Sequence, residues 1–250
     1  MPDRRKHRGR HPEDDVLFDA QNVPALRQAV ADLSWLLSHG YAVDSSLKLV
    51  GDRHGLTARQ RLAVQRSACS DEAARRRREG RVNLDDIRGR SLGVDGYNLL
   101  ITVESALSGG LILVGRDGCF RDLASIHGTY RHVEETIPAL ERILELISLQ
   151  APLKIDWFLD RPVSNSGRLK ACMAELLQAR RSPQVAQHWD IQLVDSPDAE
   201  LSRYQGIVAT SDSVILDACT NWVNFAGELI DRVIPSAWKI DLRTDSHRTG

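Results

Sequence analysis

No run of about 18 or more apolar residues occurs in the 250-residue chain, which argues against a membrane-spanning helix. The first twelve residues are basic and polar with no apolar stretch behind them, so no secretory leader is expected. The expectation is a soluble, cytoplasmic protein. Cysteine is scarce: Cys69, Cys119, Cys172 and Cys219 lie far apart without a Cys-x-x-Cys pair, which leaves buried thiols rather than a zinc knuckle or a disulfide scaffold. Cofactor signatures are missing as well. No Gly-x-Gly-x-x-Gly follows the first expected strand, and neither a Walker loop nor a His-Glu-x-x-His occurs. Net charge is nearly absent at −1, but the total hides an asymmetry. Up to Arg90 there are 18 Lys and Arg against 13 Asp and Glu, a net of +5, and from Ser91 onward 15 against 21, a net of −6. A basic front suits phosphate, and an acidic back holds carboxylates that suit a cation.

The segment up to Asp15 is rich in Arg, His and Pro and is expected to be a disordered basic tail. Residues 16–90 are expected to form a basic helical domain with a linker. Asn22 and Pro24 start a helix whose stripe is Leu26, Ala29, Val30, Leu33, Leu36 and Leu37, with Gly40 at its end. A shorter segment spans Ser45 to Val50, and Thr57 with Gln60 makes a capping-box pattern after Gly55. These elements allow either a helix-turn-helix or a packing and dimerisation module. Arg75, Arg76, Arg77 and Arg78 would spread over all faces of a helix, so all four are expected to be exposed and are candidates for contact with a phosphate backbone.

From Ser91 onward, short β-rich runs alternate with helical stripes. The runs are Leu92 to Val94, Leu111 to Val114, Ile155 to Leu159, Ile191 to Val194, Ile207 to Ala209 and Trp238 to Leu242. The stripes include Ile137 to Ile147 and Leu169 to Leu177. This alternation predicts an α/β fold over 91–250, a mostly parallel sheet flanked by helices. Open sheets of this kind bind ligands beyond the carboxyl ends of their strands. Asp95, Asp160, Asp195 and Asp212 stand at such ends. Each alone reads as a helix cap or turn residue. Together on one edge they would repel unless a proton or cation relieved them, and Mg²⁺ or Mn²⁺ is the natural counter-charge.

The run Leu92-Gly-Val-Asp95-Gly96-Tyr97-Asn98-Leu-Leu-Ile resembles the opening strand of the NYN branch of the PIN-like ribonuclease superfamily. The resemblance implies that Asp95 ligates a metal and that Asn98 supports the metal or the substrate. Asp160, Asp198 in Pro197-Asp-Ala-Glu200, and Asp212 closing Thr210-Ser211-Asp212 look like the family's remaining acidic positions. Over nearly its whole length the chain also resembles a group of uncharacterised bacterial and archaeal proteins in which a domain of unknown function is joined to a PIN-like domain. Two stretches depart from the NYN pattern: Arg116 to Leu123 with His127-Gly-Thr-Tyr130, and Asp160 to Arg168. In the second, Ser166 would cap a helix whose N-terminus, flanked by Arg161 and Arg168, would receive a phosphate; a routine turn and cap is the equal alternative. Asp117 and Asp122 flank an expected hairpin and read as turn residues. Glu104 and Asp217 point either at the sheet edge or at water, and Glu134 and Glu135 favour the dipole of the helix that follows them.

The expected function is hydrolysis of RNA phosphodiesters. Asp95, Asp160 and Asp212 would hold Mg²⁺ or Mn²⁺, with Asp198 completing the cluster. RNA or another nucleic acid is the expected partner, with homo-oligomerisation the alternative use of the helical front. The rival is a PIN-like binding or assembly module without catalysis, although all four acids are retained. A small-molecule phosphohydrolase ranks last, because Asp95 is followed by Gly96 and Tyr97 instead of a second Asp two residues on.

Overall fold

The expected stripes and runs become packed elements in the computed structural model, which describes residues 7, 8, 10–124, 129–179 and 188–244. The helical front comprises α1 (Asp14–Leu17), α2 (Val23–Ser38), α3 (Val43–Arg53), α4 (Ala58–Ser67) and α5 (Asp71–Gly80), followed by a 3-10 turn at Leu84–Ile87. α4 starts where the sequence places it: the Thr57 side chain accepts from the Gln60 amide, and the Gln60 side chain accepts from the Thr57 amide. Gly55 turns the chain into α4 at φ +60°, a left-handed conformation that favours glycine.

The back half begins with β1 (Ser91–Asp95), α6 (Gly96–Leu107), β2 (Ile112–Val114), β3 (Phe120–Asp122) and α7 (Thr136–Gln150). It continues with β4 (Lys154–Asp160), α8 (Ser166–Ala179), β5 (His188–Val194), α9 (Pro197–Leu201) and β6 (Ile207–Ala209). α10 (Ser213–Ala218), β7 (Asn221–Val223), α11 (Phe225–Val233) and β8 (Lys239–Asp241) follow. Five strands form one wholly parallel sheet in the order β5-β4-β1-β6-β7. β1 and β6 are covered on both faces, which is why they read as unbroken apolar runs in the sequence. After β1 the chain builds outward on one side through β4 and β5, then returns to lay β6 and β7 on the other. The order therefore reverses between β1 and β6, and a crevice opens beyond the carboxyl ends of strands at such a switch point.

A second, three-stranded sheet in the order β3-β2-β8 joins the two halves. Its residues alternate between two cores with the period of a strand. Ile112 and Val114 face the core of the parallel sheet, whereas Leu111 and Leu113 pack with Leu123, Ile240 and Leu242 against Leu26, Val30, Leu33, Ala63 and Val64 of the front. The boundary near Arg90 is thus a change of architecture with packing continuous across it. The first residues also lie on this body in their described part. Arg8 pairs with the buried Glu104, and Asp14, fully buried in α1, pairs with Arg59. Residues 1–6 and 9, which belong to the expected tail, lie outside the described residues. Among the described residues no helix is long and apolar enough to cross a membrane.

Candidate functional site

Asp95 ends β1 and stands at the N-cap position of α6, yet its side chain makes no capping bond. The routine cap reading therefore does not account for this carboxylate. Its Oδ2 instead accepts from the Thr210 hydroxyl at 2.7 Å, and Thr210 Oγ1 accepts from the Asp212 amide at 3.0 Å. Three residues further along α6, Asn98 Oδ1 accepts from both the amide and the hydroxyl of Ser211, each at 2.9 Å. β1 and β6 are neighbours, with Val94 opposite Ala209, so Asp95-Gly-Tyr-Asn98 and Thr210-Ser-Asp212 leave adjacent strand ends and lock together. Asp212 itself is a cap, accepting from the Val214 and Ile215 amides at 2.7 and 3.4 Å. Gly96 is fixed sterically: a Cβ there would fall 2.2 Å from Trp157 Nε1 and 2.6 Å from the Phe158 carbonyl oxygen.

Asp160 closes β4, the other neighbour of β1, and Asp198 sits in the first turn of α9, which is capped by Ser196 instead. The four carboxylates share one field. Burial pushes the Asp95 carboxyl up to about 7; the Thr210 hydrogen bond opposes that rise, and the charges of Asp212, Asp198 and Asp160 add to it. Asp198 is raised by burial and by Asp212 and Asp160, and Asp160 by burial. No Lys or Arg bonds to Asp95 among the described residues. Oxygen donors of this kind suit a hard divalent cation. Among the described residues, however, no group of three or more His, Cys, Asp and Glu side chains is arranged to hold a metal ion. The edge therefore presents carboxylate oxygens without a preformed set of three ligands.

The structure brings together Asp95, Asn98, Asp160, Asp198 and Asp212. It places the expected phosphate contacts differently. Ser166 is buried, and its hydroxyl meets the carbonyls of Asp160 and Val163 and the Tyr97 hydroxyl, so it neither caps α8 nor faces a ligand. Arg161 turns to Asp195, 3.2 Å away, and to the Leu193 carbonyl, and both side chains of the pair are solvent-exposed. Arg168 is exposed. Arg75, Arg76 and Arg78 are exposed as expected, with Arg76 paired to Glu72. Arg77 is a correction: it is 3% exposed because it reaches Asp117 at 2.7 Å and Asp217 at 2.8 Å, partners that helical periodicity cannot reveal.

The acids left open at the sequence level also have clear places. Asp117 turns the hairpin through the Cys119 amide and is also buried between Arg77 and Arg121. Burial works to raise its carboxyl, but Arg121 and Arg77 outweigh burial and hold it well below the usual carboxylate range. Asp122 accepts from the Thr102 hydroxyl at 2.8 Å and the Ala124 amide at 2.7 Å. Glu104 points neither at the sheet edge nor at water; it is fully buried against Arg8, Tyr130 and Thr136. Glu135 precedes α7 without capping it and bonds His7 at 2.6 Å. The segment at His127 falls in 125–128, outside the described residues. Cys69 and Cys119 are buried free thiols, and Cys172 and Cys219 are half-buried.

Two contributions had no signature in the sequence. Arg121 donates to the Ser211 carbonyl at 2.8 Å while holding Asp117, so the buried lattice Arg77–Asp117–Arg121 braces the loop that carries Asp212. A cleft of about 250 Å³ opens beside that loop, lined by Asn98, Asp122, Ser211, Asp212 and, from the helical front, Arg66. The Thr210-Ser211-Asp212 triplet signals only the lock between the strand ends, because two side-chain hydroxyls beside a strand-end acid are suited to hold a neighbouring carboxylate and amide.

A family model described as "Protein of unknown function (DUF434)" matches residues 25–79, which span α2 to α5. Over 192 residues, 77% of this chain and 89% of the relative, the sequence is 29% identical to the "Uncharacterized protein MJ0935" of Methanocaldococcus jannaschii. No solved structure matches the chain. A second family model, described as "Domain of unknown function (DUF5616)", matches residues 84–228, a stretch that runs from the 3-10 turn before β1 into α11 and carries all four edge carboxylates. With more than half of its residues inside that match, the chain belongs to the DUF5616 family of domains of unknown function.

Proposed function

We propose that the chain is a metal-dependent ribonuclease that hydrolyses RNA phosphodiesters at the carboxyl edge of its parallel sheet. One observation carries this reading: at the switch point, three carboxylates surround a buried Asp95 that no Lys or Arg balances among the described residues, and its carboxyl is pushed up to about 7. The resemblance of Leu92 to Ile101 to the NYN opening strand supports the choice of RNA and of the PIN-like type. Asp95, Asp160 and Asp212 would hold Mg²⁺ or Mn²⁺, with Asp198 completing the negative field. A divalent ion bound there supplies counter-charge and a water of lowered pKa. The chain's own part is positional. Thr210 and Asn98 tie the ends of β1 and β6 together, so the carboxylates of both loops are preorganised before substrate arrives.

A second reading rests on a specific observation, the absence among the described residues of a preformed group of three ligands. On that reading the edge binds RNA or a protein partner without cleaving. End-labelled single-stranded and structured RNA incubated with the full chain in Mn²⁺ or Mg²⁺, beside an EDTA control and the Asp95→Asn/Asp212→Asn double variant, separates the two. The nuclease reading expects cleavage that needs the cation and disappears in the double variant. Intact RNA with folded, Mn²⁺-supplied protein would reject it in favour of the binding module.

A further inference from the structure

An acidic edge repels the phosphates it is proposed to cleave, so a cation must stand on the substrate side of the cluster. The arginines singled out by sequence do not fill that place: Arg161 is turned to Asp195, and Arg77 is buried in its lattice. Arg121 lines the cleft beside Asp212, but it is 7% exposed and its donors go to Ser211 and Asp117. Arg66, from α4, lines the same cleft with its side chain 29% exposed. It donates to the carbonyls of Asp122 at 2.6 Å and Ala124 at 3.0 Å, which fix the plane of the guanidinium. Its Nε and the second hydrogen of Nη2 have no acceptor among the described residues. Nη1 also forms a long ion pair with the Asp122 carboxylate, 3.5 Å away, which Thr102 and Ala124 engage as well. A planar donor fixed by two carbonyls, with N–H groups left over and lining a cleft shared with Asp212 and Asn98, is suited to reading a phosphate.

We infer that this cleft is a phosphodiester-binding subsite for RNA and that Arg66, brought in by the helical front, contacts a substrate phosphate there. The inference rests on the ribonuclease reading for its choice of RNA. It assigns the front a part in substrate binding through α4, and not through the run of arginines on α5.

The test is binding of a fluorescein-labelled oligouridylate of about a dozen nucleotides, in EDTA, to the full chain across a salt series by fluorescence anisotropy. Arg66→Met should weaken binding about tenfold, as loss of one charge-assisted contact implies. It should also flatten the slope of log affinity against log salt by about 0.7, the value for one phosphate contact on a single strand. Arg66→Lys should keep the wild-type slope. Should Arg66→Met fail to fold, Arg66→Gln, which retains a donor for the two carbonyls, takes its place with the same expectation. Wild-type affinity and slope in the uncharged variant would overturn the inference, and the nuclease reading would stand if the wild type still cleaves RNA in Mn²⁺. An Arg66-dependent slope without Mn²⁺-dependent cleavage would uphold the subsite and reject the nuclease. A wild type that neither binds nor cleaves the RNA would overturn both.

Discussion

Asp95 and Asp117 are both buried aspartates, and their surroundings drive them in opposite directions. Asp117 lies between Arg121 and Arg77, which together outweigh burial; Asp95 has burial and three other acids against it, and only the Thr210 hydroxyl for it. The consequence for stability follows from linkage. A carboxyl raised in the folded state above its ordinary value of 3.8 favours folding fully below that value, and the contribution is lost as pH rises through about 7. For Asp95 alone the loss is on the order of 4 kcal/mol. Without divalent cations the wild type should therefore resist urea less well at pH 8 than at pH 5, by an amount that Asp95→Asn reduces, the raised Asp160 and Asp198 carboxyls keeping the remainder. Added Mn²⁺ should restore wild-type stability at pH 8 and leave the variant unmoved. Equal pH dependence in the two proteins would show that Asp95 is not the strained group. Gly96 supports a second prediction at this scale. Because the Phe158 carbonyl is backbone and cannot swing aside, Gly96→Ala should destabilise the chain by about 3 kcal/mol in the same assay. A change below about 0.5 kcal/mol would mean that the Asp95-Gly96 pair is not sterically required.

At the scale of elements, what the sequence made legible is what local pattern encodes. All six expected strand runs of the back half coincide with observed strands, and the α4 capping box is formed as expected. β7 was not legible, because Asn221-Trp-Val is three residues long and too short to show a period. The clustering of strand-end acids was legible from the α/β rule, whereas the Thr210 and Asn98 bonds that link them span 115 and 113 positions and leave no local trace. α5 shows the limit most clearly. Four successive arginines read as a solvated surface, but the partners of Arg77 lie 40 and 140 positions away on the hairpin and α10. Breaking one side of a buried ion pair leaves an uncompensated charge, so Arg77→Met should cost about 3–5 kcal/mol. The exposed neighbour offers an internal control, with Arg78→Met expected within about 0.5 kcal/mol of wild type. Comparable melting of the two variants would indicate that the lattice does not hold α5 to α10.

For the whole molecule, the question is whether two family matches mean two independent folding units. The small sheet argues that they do not. Leu111, Leu113, Leu123, Ile240 and Leu242 are buried in a core shared with α2 and α4, and each such side chain contributes roughly 1.5–3 kcal/mol by leaving water. Summed over the five, the loss on removing the front is comparable to the roughly 5–15 kcal/mol that stabilises a typical domain. Removal would also strip Arg77 from Asp117 and Arg66 from the cleft, so the loop that carries Asp212 would lose its brace together with its cover. A fragment spanning 91–250 should therefore bind a hydrophobic dye and melt without a cooperative transition, while the full chain unfolds in one step by circular dichroism and by tryptophan fluorescence. A fragment that melts cooperatively near the full-length temperature would show that the shared core is dispensable. The front would then be a separable binding module, and its packing against β2 and β8 would be incidental to the acidic edge.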